Sequence, residues 1–181
     1  MPIAVDQGIS ILAWSPLAAG LLGGRFTRDN PKPEGTRQVT ELSMERLQRN
    51  FDTGPIAHLR LMQACYPHLK KSGAGRVINF ASMAGVLGLA EHAPYSMAKE
   101  AGRALTRFAA REWGADGITV NNVLPAANTF TKMPEAGIPA PDTPMARMGS
   151  PEEDIAPVVL FLASRDSQFI TGSSLTPDGV R

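Results

Sequence analysis

The sequence predicts an α/β fold, a parallel sheet with helices on both faces. Strand-like and helix-like runs alternate along the chain, the helical runs carry apolar residues three and four positions apart, and glycines and prolines separate them. At 181 residues the chain fits one domain with a sizeable core, and 43% hydrophobic and 19% charged residues describe an ordinary globular protein. A formal net charge of +1 gives no reason to expect nucleic acid or an anionic membrane as partner. The single cysteine, Cys65, cannot form an internal disulfide and is expected as a buried structural thiol in a reducing compartment.

Residues 8 to 15 read as a short apolar strand that Pro16, Gly20, Gly23 and Gly24 end in a loop. The run from Gly8 to Gly24 follows Asp6 rather than basic residues and is interrupted at Trp14-Ser15-Pro16. It is therefore a poor leader and too short to span a membrane, and a cytoplasmic protein is expected. The glycines at 20, 23 and 24 read as a turn, because no helix follows to point its amides at a phosphate. A polar, proline-bearing connection occupies 27 to 39.

Ser43 to Phe51 is the first helix, with Met44, Leu47 and Phe51 on one face. Gly54-Pro55 breaks the chain, and Pro55 suits the first turn of a second helix that carries Ile56, Leu59, Met62 and Gln63 towards Leu69. His58 and His68 are expected on that helix's surface, and with His92 they show no metal spacing. Arg76 to Ala81 is a strand, followed by a glycine-rich loop after Ser82. A helix from Tyr95 to Trp113 sets Ala101, Leu105, Phe108 and Ala109 against a solvated face of Arg103, Arg107 and Arg111, and Gly114 stops it.

Ile118 to Leu124 is a strand ended by Pro125. Residues 125 to 149 form a long loop with several prolines, either a lid over a substrate or an unstructured excursion. Ser150-Pro151-Glu152-Glu153 starts another helix, with a capping serine, a first-turn proline and a reciprocal glutamate. Phe169 to Leu175 is the last strand.

The candidate chemistry lies between Ser82 and Lys99. Tyr95 and Lys99 are four apart and so share a helix face, and an ammonium group beside a phenol favours its ionised form, as proton exchange needs. Ligands of parallel sheets bind beyond the carboxyl ends of the strands, and Ser82 and Pro125 each follow such an end.

A serine after a strand, then Tyr-x-x-x-Lys, resembles the catalytic region of the short-chain dehydrogenases/reductases. The likeness extends over Leu61 to Asn79, Ala109 to Pro125, Ser150 to Ala156 and Phe161 to Gly179, roughly residues 40 to 180. It implies a Rossmann-like, doubly wound parallel sheet, N-terminally truncated to about four strands. Residues 1–181 would be a single incomplete domain, with 40–181 its catalytic half. Ile9 to Gly24 is also similar to an aldo-keto reductase segment, which would put Ser15 and Leu17 at a cofactor's phosphates; it could equally fill the fourth-strand position of the first family.

The first resemblance implies an oxidoreductase that interconverts a small-molecule alcohol and a carbonyl with NAD or NADP. Tyr95 would exchange the proton, Ser82 would hydrogen-bond the substrate oxygen, and Lys99 would hold the nicotinamide ribose. Pro125 and Ala126 stand where the family has Pro-Gly, and Thr129 or Thr131 where it has a later threonine, so the implied cofactor contacts are Tyr95, Lys99, Pro125, Ala126 and Thr129. The family's asparagine falls at Gly54, and its Thr-Gly-x-x-x-Gly-x-Gly loop does not occur in this sequence. The helices bearing Leu59 and Leu105 correspond to those that pair subunits, which implies a homo-oligomer. The alternative is a non-catalytic remnant of such an enzyme that acts through association.

Overall fold

The computed structural model describes residues 43–89, 92–127 and 144–179. The strand expected at 8–15, the connection at 27–39, Thr129, Thr131 and most of the 125–149 loop lie outside these residues.

Helix α1 (Met44–Phe51) begins where the Ser43 hydroxyl accepts from the Arg46 amide at 3.3 Å. None of its residues is buried, and Met44 is exposed. The chain breaks at Gly54 as expected: Gly54, at φ −108° and ψ −107°, is non-helical and kinks the path between α1 and α2 (Ala57–Ser72), and Pro55 brings no N–H to the turn that follows. On α2 the buried residues are Met62 and Leu69, while Leu59 and Gln63 face outwards, so the core stripe lies one step round from the expected one. Cys65 is half-buried and free.

Strands β1 (Arg76–Phe80), β2 (Thr119–Val123) and β3 (Ser174–Leu175) form a parallel sheet in that order. Alternate strand residues point to opposite faces. Val77 and Val120 pack with Met62 and Leu69 of α2 and with Ala109 and Ala110 of the long helix α4 (Ala93–Trp113). Ile78, Phe80 and Val123 turn the other way, onto Ile155 and onto Leu162 of α5 (Ala156–Ala163). Helices thus cover both faces, as alternating strands and helices predict. The third strand is shorter than expected because Gly172 takes φ 72°, which interrupts extended backbone, and Phe169 is wholly exposed.

The buried residues of α4 include Ala98, Gly102, Thr106, Ala109 and Ala110, all small, which lets the helix settle closely on the strands at Thr106, Ala109 and Ala110 and on the neighbouring helical segment at Ala98 and Gly102. Phe108, expected in the core, is 62% exposed, and Arg103, expected in solvent, is half-buried. The helix ends at Trp113 with Gly114 as its C-cap, as expected; Gly114 stays right-handed and opens a tight turn that Gly117, at φ 74°, ends.

Beyond β2, Ser150 caps the next helix by accepting from the Glu153 amide at 3.2 Å. The reciprocal carboxylate is Asp154, not the expected Glu153, because a widened first turn (Pro151–Ile155) brings Asp154 back to the Ser150 amide at 2.6 Å. Arg147 also grips Asp154, and these donors hold its carboxyl well below the usual carboxylate range. Among the described residues no helix is long and apolar enough to cross a membrane.

Candidate active site

In the sheet register Phe80 stands opposite Val123, and the Ala81 amide donates to the Val123 carbonyl at 3.0 Å. Ser82 and Pro125 therefore leave their strands two residues beyond the same rung, on one rim of the sheet. The backbone after Ser82 is not the loop the sequence suggests. Ser82 caps a short helix, α3 (Met83–Leu87), its hydroxyl oxygen accepting from the Ala84 amide at 3.2 Å. A serine hydroxyl that accepts in this way keeps its own hydrogen for another oxygen.

Pro94 sits in the first turn of α4, so the helix starts early enough to hold Tyr95 in regular geometry with Lys99 one turn on. Ser96 ties this turn to the serine-capped helix, its hydroxyl donating to the Ala84 carbonyl at 3.0 Å. Lys99 Nζ donates to the Phe80 carbonyl at 2.8 Å and lies 5.6 Å from the centre of the Tyr95 ring. The ammonium is thus anchored to the end of β1 beside the phenol. Tyr95, Lys99 and Ser82 are all half-buried.

The expected cofactor residues divide. Tyr95 and Lys99 sit together at the rim. Ala126 is already committed through its backbone, its amide donating to the Pro177 carbonyl at 3.2 Å and its carbonyl accepting from Gly149 at 3.0 Å. It therefore offers a ligand only side-chain surface, as does the half-buried Pro125. A hydroxyl-bearing group such as a ribose suits an ammonium placed beside a phenol. The described residues carry no glycine loop that would cradle a dinucleotide's phosphates. They contain no cluster of three or more metal-ligating side chains.

Sequence reasoning missed a buried polar chain behind these residues. Asn79 and Asn122 are register partners, both fully buried, and Thr106 of α4 bridges them. Asn79 Nδ2 donates to the Thr106 hydroxyl at 2.9 Å, and that hydroxyl donates to Asn122 Oδ1 at 2.9 Å. Two asparagines in otherwise apolar strands were the available signal, since a buried amide has to find partners. The bridge holds α4 at its middle, as Lys99 holds it near its start.

His58 was also misjudged. Its Nδ1 is buried and unpaired among the described residues, and the imidazole is held neutral to about pH 4, first by burial and then by the charge of Lys99.

Comparison with known proteins agrees with this architecture. A family model described as "Enoyl-(Acyl carrier protein) reductase" matches residues 30–179. The chain is 41% identical over 135 residues to a "12alpha-hydroxysteroid dehydrogenase" of a Clostridium species, covering 70% of this chain and 51% of that protein. It is 36% identical to a "Cyclohexanol dehydrogenase" of an Acinetobacter species, covering 99% of this chain and 68% of that protein. A solved "short chain dehydrogenase/reductase family protein" superposes with a TM-score of 0.70 at 34% identity, over 77% of this chain and 59% of that one. The chain spans about half to two thirds of the length of these proteins.

Proposed function

The chain belongs to the short-chain dehydrogenase/reductase family, and on that premise we propose that it carries the catalytic half of an oxidoreductase interconverting a small-molecule alcohol and a carbonyl with NAD or NADP. The observation that carries this reading is the anchored pair at the rim: Lys99 held by the Phe80 carbonyl at 2.8 Å and 5.6 Å from the Tyr95 ring centre. When bound, the nicotinamide supplies or accepts the hydride. In carbonyl reduction Tyr95 gives its phenolic proton to the substrate oxygen, and Lys99 stabilises the phenolate left behind. Ser82, whose oxygen is occupied by the cap, donates its remaining hydrogen to the same substrate oxygen as charge builds there. Lys99 and the surfaces of Pro125 and Ala126 would hold the ribose and ring, and Thr129 would add a hydroxyl. The names of the relatives favour a cyclic secondary alcohol as substrate.

The test is reduction of cyclohexanone by the full chain with NADH and with NADPH, followed by cofactor absorbance. Turnover that disappears in Tyr95→Phe supports the reading, and turnover unchanged in that variant overturns it.

A second reading, association without catalysis, draws on outward apolar side chains. Leu59 and Leu61 of α2 and Phe108 of α4 are 41%, 47% and 62% exposed. Such residues would pair this chain with a second copy, and pairing is compatible with either reading. Titrating NADH fluorescence separates the two, since absence of binding at millimolar cofactor favours association alone.

A further inference from the structure

The sheet has a second rim. Tyr95, Lys99 and Ser82 stand where the strands finish, whereas Arg76 and Thr119 open β1 and β2 at the opposite end. There an open cleft of about 580 Å³ lies between the turns that precede these two strands and the tight turn (Arg165–Ser167) that follows α5. Gly73 and Gly117 form part of its wall, and no side chain projects from either.

Arg76 lines this cleft and is only 9% exposed. Its Nε donates to the Ser164 carbonyl at 3.4 Å and its Nη1 to the Gly75 carbonyl at 3.0 Å. These bonds fix the guanidinium without neutralising it, and neither engages Nη2. The exposed Arg165 lines the same cleft, and no ion pair among the described residues involves either arginine. The lining carries no carboxylate, and Asp116, which precedes Gly117, is taken by Lys70 at 2.8 Å. Burial disfavours the Arg76 charge, and a buried cation without a counter-charge is costly. What this site lacks is an anion. Phe169, on the same lining, is 99% exposed and offers a ligand a flat apolar surface.

We propose that this cleft binds an aromatic oxyanion, its carboxylate or phosphate held between the guanidinium groups of Arg76 and Arg165 and its ring laid against Phe169. The planar guanidinium fork matches two oxygens of either group, and the Gln168 side chain brings an amide donor to the same wall. The site lies at the other end of the sheet from Tyr95, so the inference does not rest on the dehydrogenase reading.

Calorimetric titration of the full chain with benzoate and with phenyl phosphate tests it, beside benzyl alcohol, which lacks the charge, and acetate, which lacks the ring. At least one of the two aromatic anions is expected to bind with a Kd of about 1 mM or tighter, and the tighter of them tells a carboxylate ligand from a phosphate one. Benzyl alcohol and acetate are expected to bind about tenfold more weakly or worse. Arg165 and Phe169 are exposed, so their substitution leaves the core undisturbed. Arg165→Glu is expected to weaken binding about tenfold or more, and Phe169→Ala about threefold. The Arg76 Nε–H resonance should move with the same midpoint as the heat. Absence of binding by both aromatic anions at about 20 mM overturns the inference. So does benzyl alcohol or acetate binding as tightly as benzoate, or parental affinity in Arg165→Glu. Cyclohexanone reduction by Arg165→Glu is expected at the parental rate, so a failure here leaves the dehydrogenase reading untouched.

Discussion

Lys99 donates to the backbone carbonyl of Phe80 at 2.8 Å, which joins the helix that carries Tyr95 to the strand that delivers Ser82. Because the acceptor is backbone, the ammonium's position follows the sheet. Lys99→Met is expected to leave the fold intact and to lower carbonyl reduction by roughly 10²-fold or more, the lower end of the range for a proton-transfer group. Steady-state rates with cyclohexanone, beside far-ultraviolet circular dichroism, check both halves of that statement.

Thr106 holds two buried asparagines at once. Thr106→Val keeps the shape and removes the hydroxyl, which leaves Asn79 Nδ2 and Asn122 Oδ1 buried without that partner. The expected cost is about 2–4 kcal/mol, from one to two unsatisfied buried polar groups. Urea unfolding measures it, and a change below about 0.5 kcal/mol would mean that the asparagines find other partners.

His58 makes stability depend on pH. Its folded pKa, about 4, lies below the ordinary value of 6.5, so between those values the unfolded chain binds a proton that the folded chain refuses. Stability therefore falls as pH drops from 6.5 to 4, by an amount on the order of 3 kcal/mol for this group. His58→Leu should flatten that part of the curve, as denaturant midpoints taken every half unit of pH would register.

Gly117 ends the turn after α4 at φ 74°, and a Cβ there would come within 2.6 Å of the Gly73 carbonyl oxygen. Gly73 itself ends α2 in the same left-handed conformation, so the two turns touch through backbone and neither can give way cheaply. Gly117→Ala is expected to destabilise the protein by roughly 2 kcal/mol or more, beyond the usual conformational penalty of about 1 kcal/mol for alanine at positive φ. Gly114→Ala, in right-handed helix with open space around it, serves as the control and should be neutral or slightly stabilising. Thermal unfolding of the two variants distinguishes them.

Local chemistry made part of this molecule legible. Alternating apolar runs gave the parallel sheet, and the spacing of Tyr95 and Lys99 gave a shared face, because the helix period depends on nothing distant. Ser150 could be read as a cap from its neighbours, yet its reciprocal partner, Asp154, could not, since one widened turn shifts the register by a residue. The faces of α2 and α4 were misread for a related reason. Leu59 and Phe108 look like core residues, but small side chains at Ala98, Gly102 and Thr106 are what a helix needs to lie close on its neighbours.

The amino-acid sequence by itself determined the alternation of strands and helices, the helix cap at Ser150, and the placing of Tyr95 one turn before Lys99, all of them interactions within a few residues. Tertiary structure alone decided that Lys99 meets the Phe80 carbonyl, that Thr106 joins Asn79 to Asn122, and that the half-buried His58 turns its Nδ1 inwards beside Gly102. The physical reason is distance along the chain. These partners lie 16 to 44 residues apart, and only the packing of two helices against the sheet brings them together.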